Sequence, residues 1–586
     1  MALALWRRQL RQGPPEERLA ARSLPAGAAL VRLGPILAVG VLAGPVLAGL
    51  VGTLLPAFGY LPALGGERLT FVHVRALLAT PGLLQSCLAS LLSGLAASAF
   101  SLLAVMLFVA AWSGTTIFNR VQHLVSPLLA VPHAAAAFGL AFLIAPSGMI
   151  ARLLSPEVTG WERPPDLLIV NDPMALSLTA GLIAKEIPFL LLITLAALPQ
   201  VRLGELRAIS ASFGYGRIAG FVYCVWPAIY RQIRLGVFAV IAFATSVVDV
   251  AQILGPTAPP TLAVRLLAWM NDPDLSVRFM AAAGALLQLL VTGFALLVWL
   301  ALEKVSSVFA TACRSNGRRF RRARTVNGLA LLVMAGFALL TLAGLGTLAL
   351  WSVAGLWQFP DALPTEITLK TWLRTAPRIV DPLVTTLLVA ALATLLAVTL
   401  AILCLMREQE RGRPRRLALM LVYLPLLLPQ AAFLFGLQIL FLLTGIGASL
   451  AGLILAHLVF VLPYVMLSLS DPWRAFDRRY EAVAAGLGRR RWSILFRVRL
   501  PMLLRAVLTA AAVGFAVSVG LYLPTVLIGE GRLTTITTEA VALASGGNRR
   551  VIGVYAFLQL ILPAFGFLIA TLLPALIFRR FRAMQV

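Results

Sequence analysis

Residues 205–217 read Glu-Leu-Arg-Ala-Ile-Ser-Ala-Ser-Phe-Gly-Tyr-Gly-Arg, and residues 479–491 read Arg-Tyr-Glu-Ala-Val-Ala-Ala-Gly-Leu-Gly-Arg-Arg-Arg. At an offset of 274 Ala208 falls on Ala482, Gly214 on Gly488 and Arg217 on Arg491. Thirteen residues past each glycine stands a proline, Pro227 and Pro501, and four past each proline an arginine, Arg231 and Arg505. Each copy reads as a short helix with a small face (Ala208 and Ala211; Ala482, Val483, Ala484 and Ala485). A glycine ends it where the backbone needs positive φ, and a second helix stops before the proline. The small face lets another backbone approach, and Arg489, Arg490 and Arg491 reach beyond the turn. One such segment would be an ordinary basic loop lying on anionic lipid. Two copies at fixed spacing are a paired device, a compact helix-turn-helix projecting from whatever carries it.

What carries it is a membrane domain. The chain of 586 residues is 60% hydrophobic and 12% charged, with mean hydropathy +0.93, against roughly 25% charged in a soluble domain. Lipid offers backbone amides no water, so long apolar runs become complete helices. Twelve candidate spans begin near residues 31, 84, 123, 174, 231, 279, 327, 383, 417, 448, 505 and 551. The formal net charge of +26 would suggest nucleic acid in a soluble protein; here basic residues mark cytoplasmic loops and no nucleic acid is expected. With both termini inside, the arginine clusters 314–324, 407–416 and 474–505 all fall in the cytoplasm. Arg7, Arg8 and Arg11 precede the first apolar run, 31–57, which reads as a retained anchor.

An even number of spans per half gives two halves of the same orientation, related by an axis along the membrane normal. Further matches support the duplication: Pro132, His133 and Phe138-Gly139-Leu140 repeat 297 residues on as Pro429, Gln430 and Phe435-Gly436-Leu437, and Pro188 repeats as Pro463 at an offset of 275. The expected fold is an all-α polytopic membrane protein of about twelve helices in two parallel six-helix repeats. It divides into a cytoplasmic N-terminal segment (1–30), a first six-span domain (31–304), a basic cytoplasmic linker (305–326) and a second six-span domain (327–586).

The paired segments resemble the EAA loop of ABC importer permeases, whose pattern is roughly E-A-A-x-x-x-G, nine variable residues, then I-x-L-P. Glu481, Ala482, Ala484, Gly488, Leu500 and Pro501 follow it; the first copy departs, with Arg207 at the position of Glu481 and Trp226 at that of Leu500. The chain is most similar to the fused binding-protein-dependent permeases of the iron(III) and thiamine type, and residues 522–543 resemble a thiamine-transport branch. The resemblance implies that each loop (Ala208, Ala211, Gly214, Arg217, Pro227; Glu481, Ala482, Ala484, Gly488, Arg491, Pro501) docks one copy of a cytoplasmic ABC ATPase. It also implies an extracytoplasmic solute-binding protein and a place in the bacterial inner membrane. No cofactor is expected in this chain; ATP and magnesium belong to the ATPase subunits. The implied cargo is a small solute of the thiamine-like, iron(III) or polyamine class, moved by alternating access.

Ionisable groups inside spans are costly and usually face a bundle interior or a cavity. Lys185 and Glu186 fall near mid-bilayer in span four, and Asp249 about five residues from the outer end of span five; the second half has apolar residues at the matched positions. An ion pair of Lys185 with Glu186 or Asp249 is one reading, and a lining of the translocation pathway is the other. His133 and Gln430, each after a proline that frees a carbonyl, are candidates for flanking a gate or for a hydrogen-bonded helix interface.

Other classes fit poorly. A P-loop needs GxxxxGK[ST], and the sole Lys-Ser/Thr pair, Lys370-Thr371, lacks it, so the chain is no ATPase. A major-facilitator secondary transporter is the alternative for twelve parallel spans. It would carry a glycine, acid and arginine signature between spans two and three, where residues 112–120 read Trp-Ser-Gly-Thr-Thr-Ile-Phe-Asn-Arg. Four scattered histidines (His73, His123, His133, His457) and four single cysteines (Cys87, Cys224, Cys313, Cys404) suggest neither an enzyme site nor a metal site.

Overall fold

The computed structural model describes residues 26–321, 323–411 and 416–579. Most of the N-terminal segment, part of the 407–416 cluster and the last residues of the chain lie outside the described residues. The architecture is all-helical, with ten helices long and apolar enough to cross a membrane among the described residues, or up to twelve if two bent pairs each count as one span.

The helices that build the two halves are α1 (Ala26–Ala57), α2 (Leu83–Trp112), α3 (His133–Ile144), α4 (Leu176–Ala197), α5 (Leu203–Ser212), α6 (Trp226–Ala244), α7 (Asp249–Leu254), α8 (Leu262–Met270) and α9 (Val277–Ser315). The second set is α10 (Arg324–Val353), α11 (Lys370–Arg411), α12 (Arg416–Leu427), α13 (Gln430–Leu443), α14 (Leu450–Ala475), α15 (Arg479–Gly486), α16 (Leu504–Gly520), α17 (Leu523–Gly529), α18 (Ile536–Ala542) and α19 (Arg549–Ile577). At 1.5 Å per residue α11 is about 60 Å long, twice the roughly 30 Å hydrocarbon layer, so its basic end stands well clear of lipid. Helix α9 continues to Ser315 and α10 starts at Arg324, leaving a short non-helical strap between the halves.

The halves are interlocked through their first helices. Helix α1 lies against α13 of the second half, and α10 lies against α3 of the first. Both crossings use glycine: a Cβ at Gly139 would sit 2.9 Å from the Gly344 carbonyl carbon, and one at Gly436 would run into the backbone of Gly49 and Gly52. The Gly436 N–H donates to Thr53 Oγ1 at 3.1 Å. The repeated Phe-Gly-Leu triplets are therefore the points of closest approach between halves, and in lipid, where no hydrophobic force drives helices together, such close backbone packing carries the association. A separate core of the second half, built on Ala393, Ala397, Val461 and Val465, takes in Val31, Ala38 and Leu42 of α1.

Two sequence expectations are corrected. The third span of each half is broken rather than kinked. Pro132 and Pro429 are N-cap residues from which α3 and α13 start, as suits a residue without an N–H; Leu421–Leu427 meets α13 at 101°. Asp249 does not lie inside span five, which ends at Ala244; it opens the short buried helix α7.

Candidate functional site

The two projecting segments share one backbone design. Helices α5 and α15 both end in a doubly hydrogen-bonded cap: Gly214 N–H donates to Ala211 O (2.8 Å) and Tyr215 N–H to Ser210 O (3.1 Å), while Gly488 N–H donates to Ala485 O (2.9 Å) and Arg489 N–H to Ala484 O (3.1 Å). The glycines sit at φ +76° and +74°, the left-handed conformation this cap requires. Beyond each turn a short helix, Arg217–Gly220 or Arg491–Ile494, runs into a single π-helical turn, Phe221–Val225 or Leu495–Arg499. The wider turn accommodates the proline that follows, which lacks an N–H and crowds the preceding carbonyls. The chain thus passes through Pro227 in helical form instead of stopping before it. In the second half it bends by 79° after Met502.

The small residues divide by face. Ala484 is buried, and so is Ser210 in the matched place; a Cβ on Gly220 would lie 2.9 Å from Ser210 Cβ. The backbone that approaches here is the chain's own next helix. Ala208, Ala211 and Ala482 are exposed. So are the apolar pairs Ile209 and Phe213 on α5 and Val483 and Leu487 past the same turn of α15, the last at 77%. These pairs match at the offset of 274 and have no cover among the described residues.

The matched arginines brace each loop against the end of a long helix. Arg217 donates to Ala110 O (3.2 Å) and Ser113 O (2.7 Å), and Arg207 to Ser113 Oγ (2.6 Å), at the C-terminus of α2. Carbonyls at a helix end attract cations. In the second half Arg491 pairs with Glu410, and Arg474 with Glu408 (2.7 Å), at the end of α11. Glu481 turns inward to Arg499 (2.8 Å), which also donates to Gln409 and to Trp473 O (3.0 Å) and stacks on the Trp473 ring at 3.8 Å. Arg499 has no arginine counterpart in the first half, where Val225 stands. The first loop replaces this ion pair by arginine-to-carbonyl bonds.

Within the membrane domain Lys185 forms no ion pair among the described residues. Its ammonium donates to the carbonyls of Leu128 and Leu129 (3.3 Å each) and Val131, at the point where the third span breaks before Pro132. Lys185 thus caps a broken helix, and its charge also acts on neighbouring Glu186. At the matched position Phe460 stacks on Phe433 at 5.7 Å. Glu186 is 4% exposed and its carboxylate has no hydrogen bond or ion pair to a described residue, although it lies close enough to Tyr464 of the second half to act on it electrostatically. Asp249, also buried, stands in the same relation to Tyr522. His133 packs on Phe243 with ring centroids 4.6 Å apart, and Gln430 opens α13. His133 also lies close enough to Lys185 to feel its charge.

Three groups escaped the sequence reading. His457 is locked between Ser518 Oγ (2.8 Å) and Thr525 Oγ1 (3.0 Å), so the second half has a buried polar group of its own. Gln288 and Gln559 each tie the last span of a half to the end of its fifth, directly at Thr245 O (3.0 Å) or through Thr537. On the face away from the loops Arg152, buried, donates to Gln358 O (2.7 Å) and stacks over Trp357 at 4.9 Å, while Arg549 reaches Ser147 O (2.8 Å). Only the repeat of glutamines at an offset of 271 left a signal in the sequence.

A polytopic helical protein with two like-facing, cap-matched loops is a transport permease built to be driven from outside itself. Residues 393–584 match the family model described as "Binding-protein-dependent transport system inner membrane component". The chain is 32% identical over 506 residues to the inner membrane ABC transporter permease protein YnjC of Escherichia coli K12, covering 86% of this chain and 91% of that one. Shorter similarities reach the molybdenum transport system permease ModB of Mycobacterium bovis (35% over 130 residues, 20% of this chain and 49% of that one) and the spermidine/putrescine permease PotC of Haemophilus influenzae (31% over 98 residues, 17% and 38%). The chain belongs to the binding-protein-dependent ABC transporter inner membrane permeases. It is a multi-pass permease component without an ATPase site of its own, and the major-facilitator alternative falls.

Proposed function

We propose that the chain is the whole translocation unit of an importer, with one ATPase subunit seated on the α5 loop, a second on the α15 loop, both on the cytoplasmic side together with the chain termini, and a solute-binding protein on the opposite face. The six-span domains 31–304 and 327–586, joined by the linker 305–326, are then the two rocking halves of an alternating-access cycle. The observation that carries this reading is the identity of the two caps, each presenting an uncovered apolar pair: Ile209 with Phe213 and Val483 with Leu487.

The test is co-purification of the ATPase encoded beside the permease gene, with uptake assayed in proteoliposomes. Val483→Asp with Leu487→Asp changes only exposed side chains, so the permease should still insert while ATP-driven uptake falls at least about tenfold. Uptake at the original rate by that variant counts against the assignment.

The cargo we assign to the cationic members of the thiamine-like, iron(III) and polyamine class. Glu186 and Asp249 support this: both are buried carboxylates outside any ion pair among the described residues, Glu186 feeling only the charge of neighbouring Lys185, and each lies beside a tyrosine of the other half. The similarity to the spermidine/putrescine permease PotC points the same way and that to the molybdenum permease ModB does not. Uptake of labelled thiamine, spermidine and ferric iron, compared with molybdate, decides it; accumulation of molybdate alone would remove the cation reading.

A further inference from the structure

The first docking turn is not bare. Residues 316–321 of the strap between the halves lie across it. Gly216 N–H donates to Arg319 O at 3.1 Å, Arg321 Nε donates to Gly214 O at 3.4 Å, and the Arg319 guanidinium stacks on the Tyr215 ring at 4.5 Å. The fit is backbone on backbone: a Cβ at Gly216 would run into the Phe320 carbonyl and lie 3.0 Å from Arg321 Cα. Phe320 takes φ +43° there, a conformation a bulky residue adopts only when its surroundings impose it. Among the described residues the second turn has no such cover; nothing lies within 4 Å of a Cβ at Gly488.

Aligning the two turns shows what the strap replaces. The second loop follows its glycine with Arg489, Arg490 and Arg491, all exposed; the first follows it with Tyr215, Gly216 and Arg217. The first loop therefore lacks two of the three guanidinium groups, and the strap brings Arg319 and Arg321 to the residues that stand in their place, with exposed Arg318 beside them. The glycine at 216, where the second loop has Arg490, is what lets the strap in.

We propose that the inter-half strap is part of the first docking surface: Arg318, Arg319 and Arg321 supply from elsewhere in the chain the basic charge that the second loop carries in its own sequence. Two identical ATPase subunits have two identical docking faces, and this arrangement presents a basic surface to each. The inference rests on the docking reading above and makes the departure of the first loop from its family pattern a relocation of charge, not a loss of function.

The experiment measures how many ATPase subunits remain with the detergent-purified full permease as salt is raised, in the wild type, in Arg318→Glu with Arg321→Glu, and in Arg489→Glu with Arg490→Glu. Each charge reversal should lower the ATPase-to-permease ratio from two toward one and shift loss of the remaining weak site to lower salt; the two combined should remove both subunits. Tyr215→Arg added to the strap variant should recover the lost subunit, which a purely structural role of the strap would not allow. If the second-loop variant loses a subunit and the strap variant keeps two, the strap proposal is overturned and docking stands. If neither variant loses any, docking itself fails. A strap variant that keeps two ATPase subunits but no longer retains anionic lipid would make the strap a lipid anchor instead. Size-exclusion profiles of the detergent-solubilised variants separate these outcomes from misfolding.

Discussion

Four charged side chains in this permease have work that differs from what their type suggests. Lys185 holds carbonyls, so Lys185→Met should leave them unsatisfied in a dry interior at about 1–3 kcal/mol per group; the expected result is a less thermostable permease, read by fluorescence-detected size exclusion on heating. Glu186 holds nothing, so Glu186→Gln should leave that melting profile in place while lowering uptake. Equal loss of stability in both variants would place Glu186 in the framework. Glu481 belongs to a largely buried ion pair, and removing one partner of such a pair costs about 3–5 kcal/mol whereas replacing both by apolar groups is close to neutral. Glu481→Ala should therefore loosen residues 479–499 to hydrogen exchange, and Glu481→Leu with Arg499→Leu should restore protection. Asp172 fixes the start of α4, its carboxylate accepting from Leu176 N (2.7 Å), Ser177 N (2.8 Å) and Ser177 Oγ (2.7 Å). Burial works to raise this carboxyl, but the Ser177 and Leu176 hydrogen bonds outweigh it and hold the group below the ordinary carboxylate value. Its stabilising contribution is then complete above the ordinary carboxylate range and disappears as pH falls through the lowered value. Exchange protection at 172–177 should drop with acid in the wild type and much less in Asp172→Asn.

At the scale of elements, the loops show how much of a site a repeat can reveal. The offset of 274 located both turns and the positive-φ glycines, and apolar runs located the spans, because both are local properties of sequence. The breaks at Pro132 and Pro429 were not legible: hydropathy does not register a change of helix direction, 101° before Pro429, so the stretches starting near 123 and 417 each read as one span. Nor was the bracing by Arg217 and Arg491 legible, since its acceptors lie about a hundred residues away in sequence and in the first half are backbone carbonyls without a residue signature. Lys185 was visible as a buried charge, but its partners, also carbonyls, were not. Because Gly488 occupies open space at φ +74°, Gly488→Ala introduces no clash and only the cost of a left-handed conformation, about 1–2 kcal/mol. The cap should fray, and hydrogen exchange at residues 484–489 should rise, while Gly486→Ala, in open space within the helix, should not produce it.

For the molecule as a whole, the exchanged first helices mean that the halves are held together in two independent ways, by the covalent strap and by the two glycine crossings. Hydropathy cannot reveal the crossings, because a helix lying on its own half and one lying on the other half bury the same residues. Energetically they should dominate: α1 brings Val31, Ala38 and Leu42 into the second half's core, and at Gly139 and Gly436 the backbones touch. Cutting the strap by expressing residues 1–317 and 318–586 as two polypeptides should then leave the halves co-purifying in detergent. Gly436→Leu in the intact chain should force α1 and α13 apart, at the 1–3 kcal/mol or more of an overpacked contact, and lower uptake, with the halves still joined by the strap. Only the cut chain that also carries Gly436→Leu and Gly139→Leu should come apart on a tag placed on one half. If the cut alone separates the halves, the crossings are secondary and the covalent link is what makes this chain one transporter; if the triple alteration still co-purifies, the contacts of α1 with α11, of α2 with α10 and of α9 with α13 carry more of the association than the glycines do.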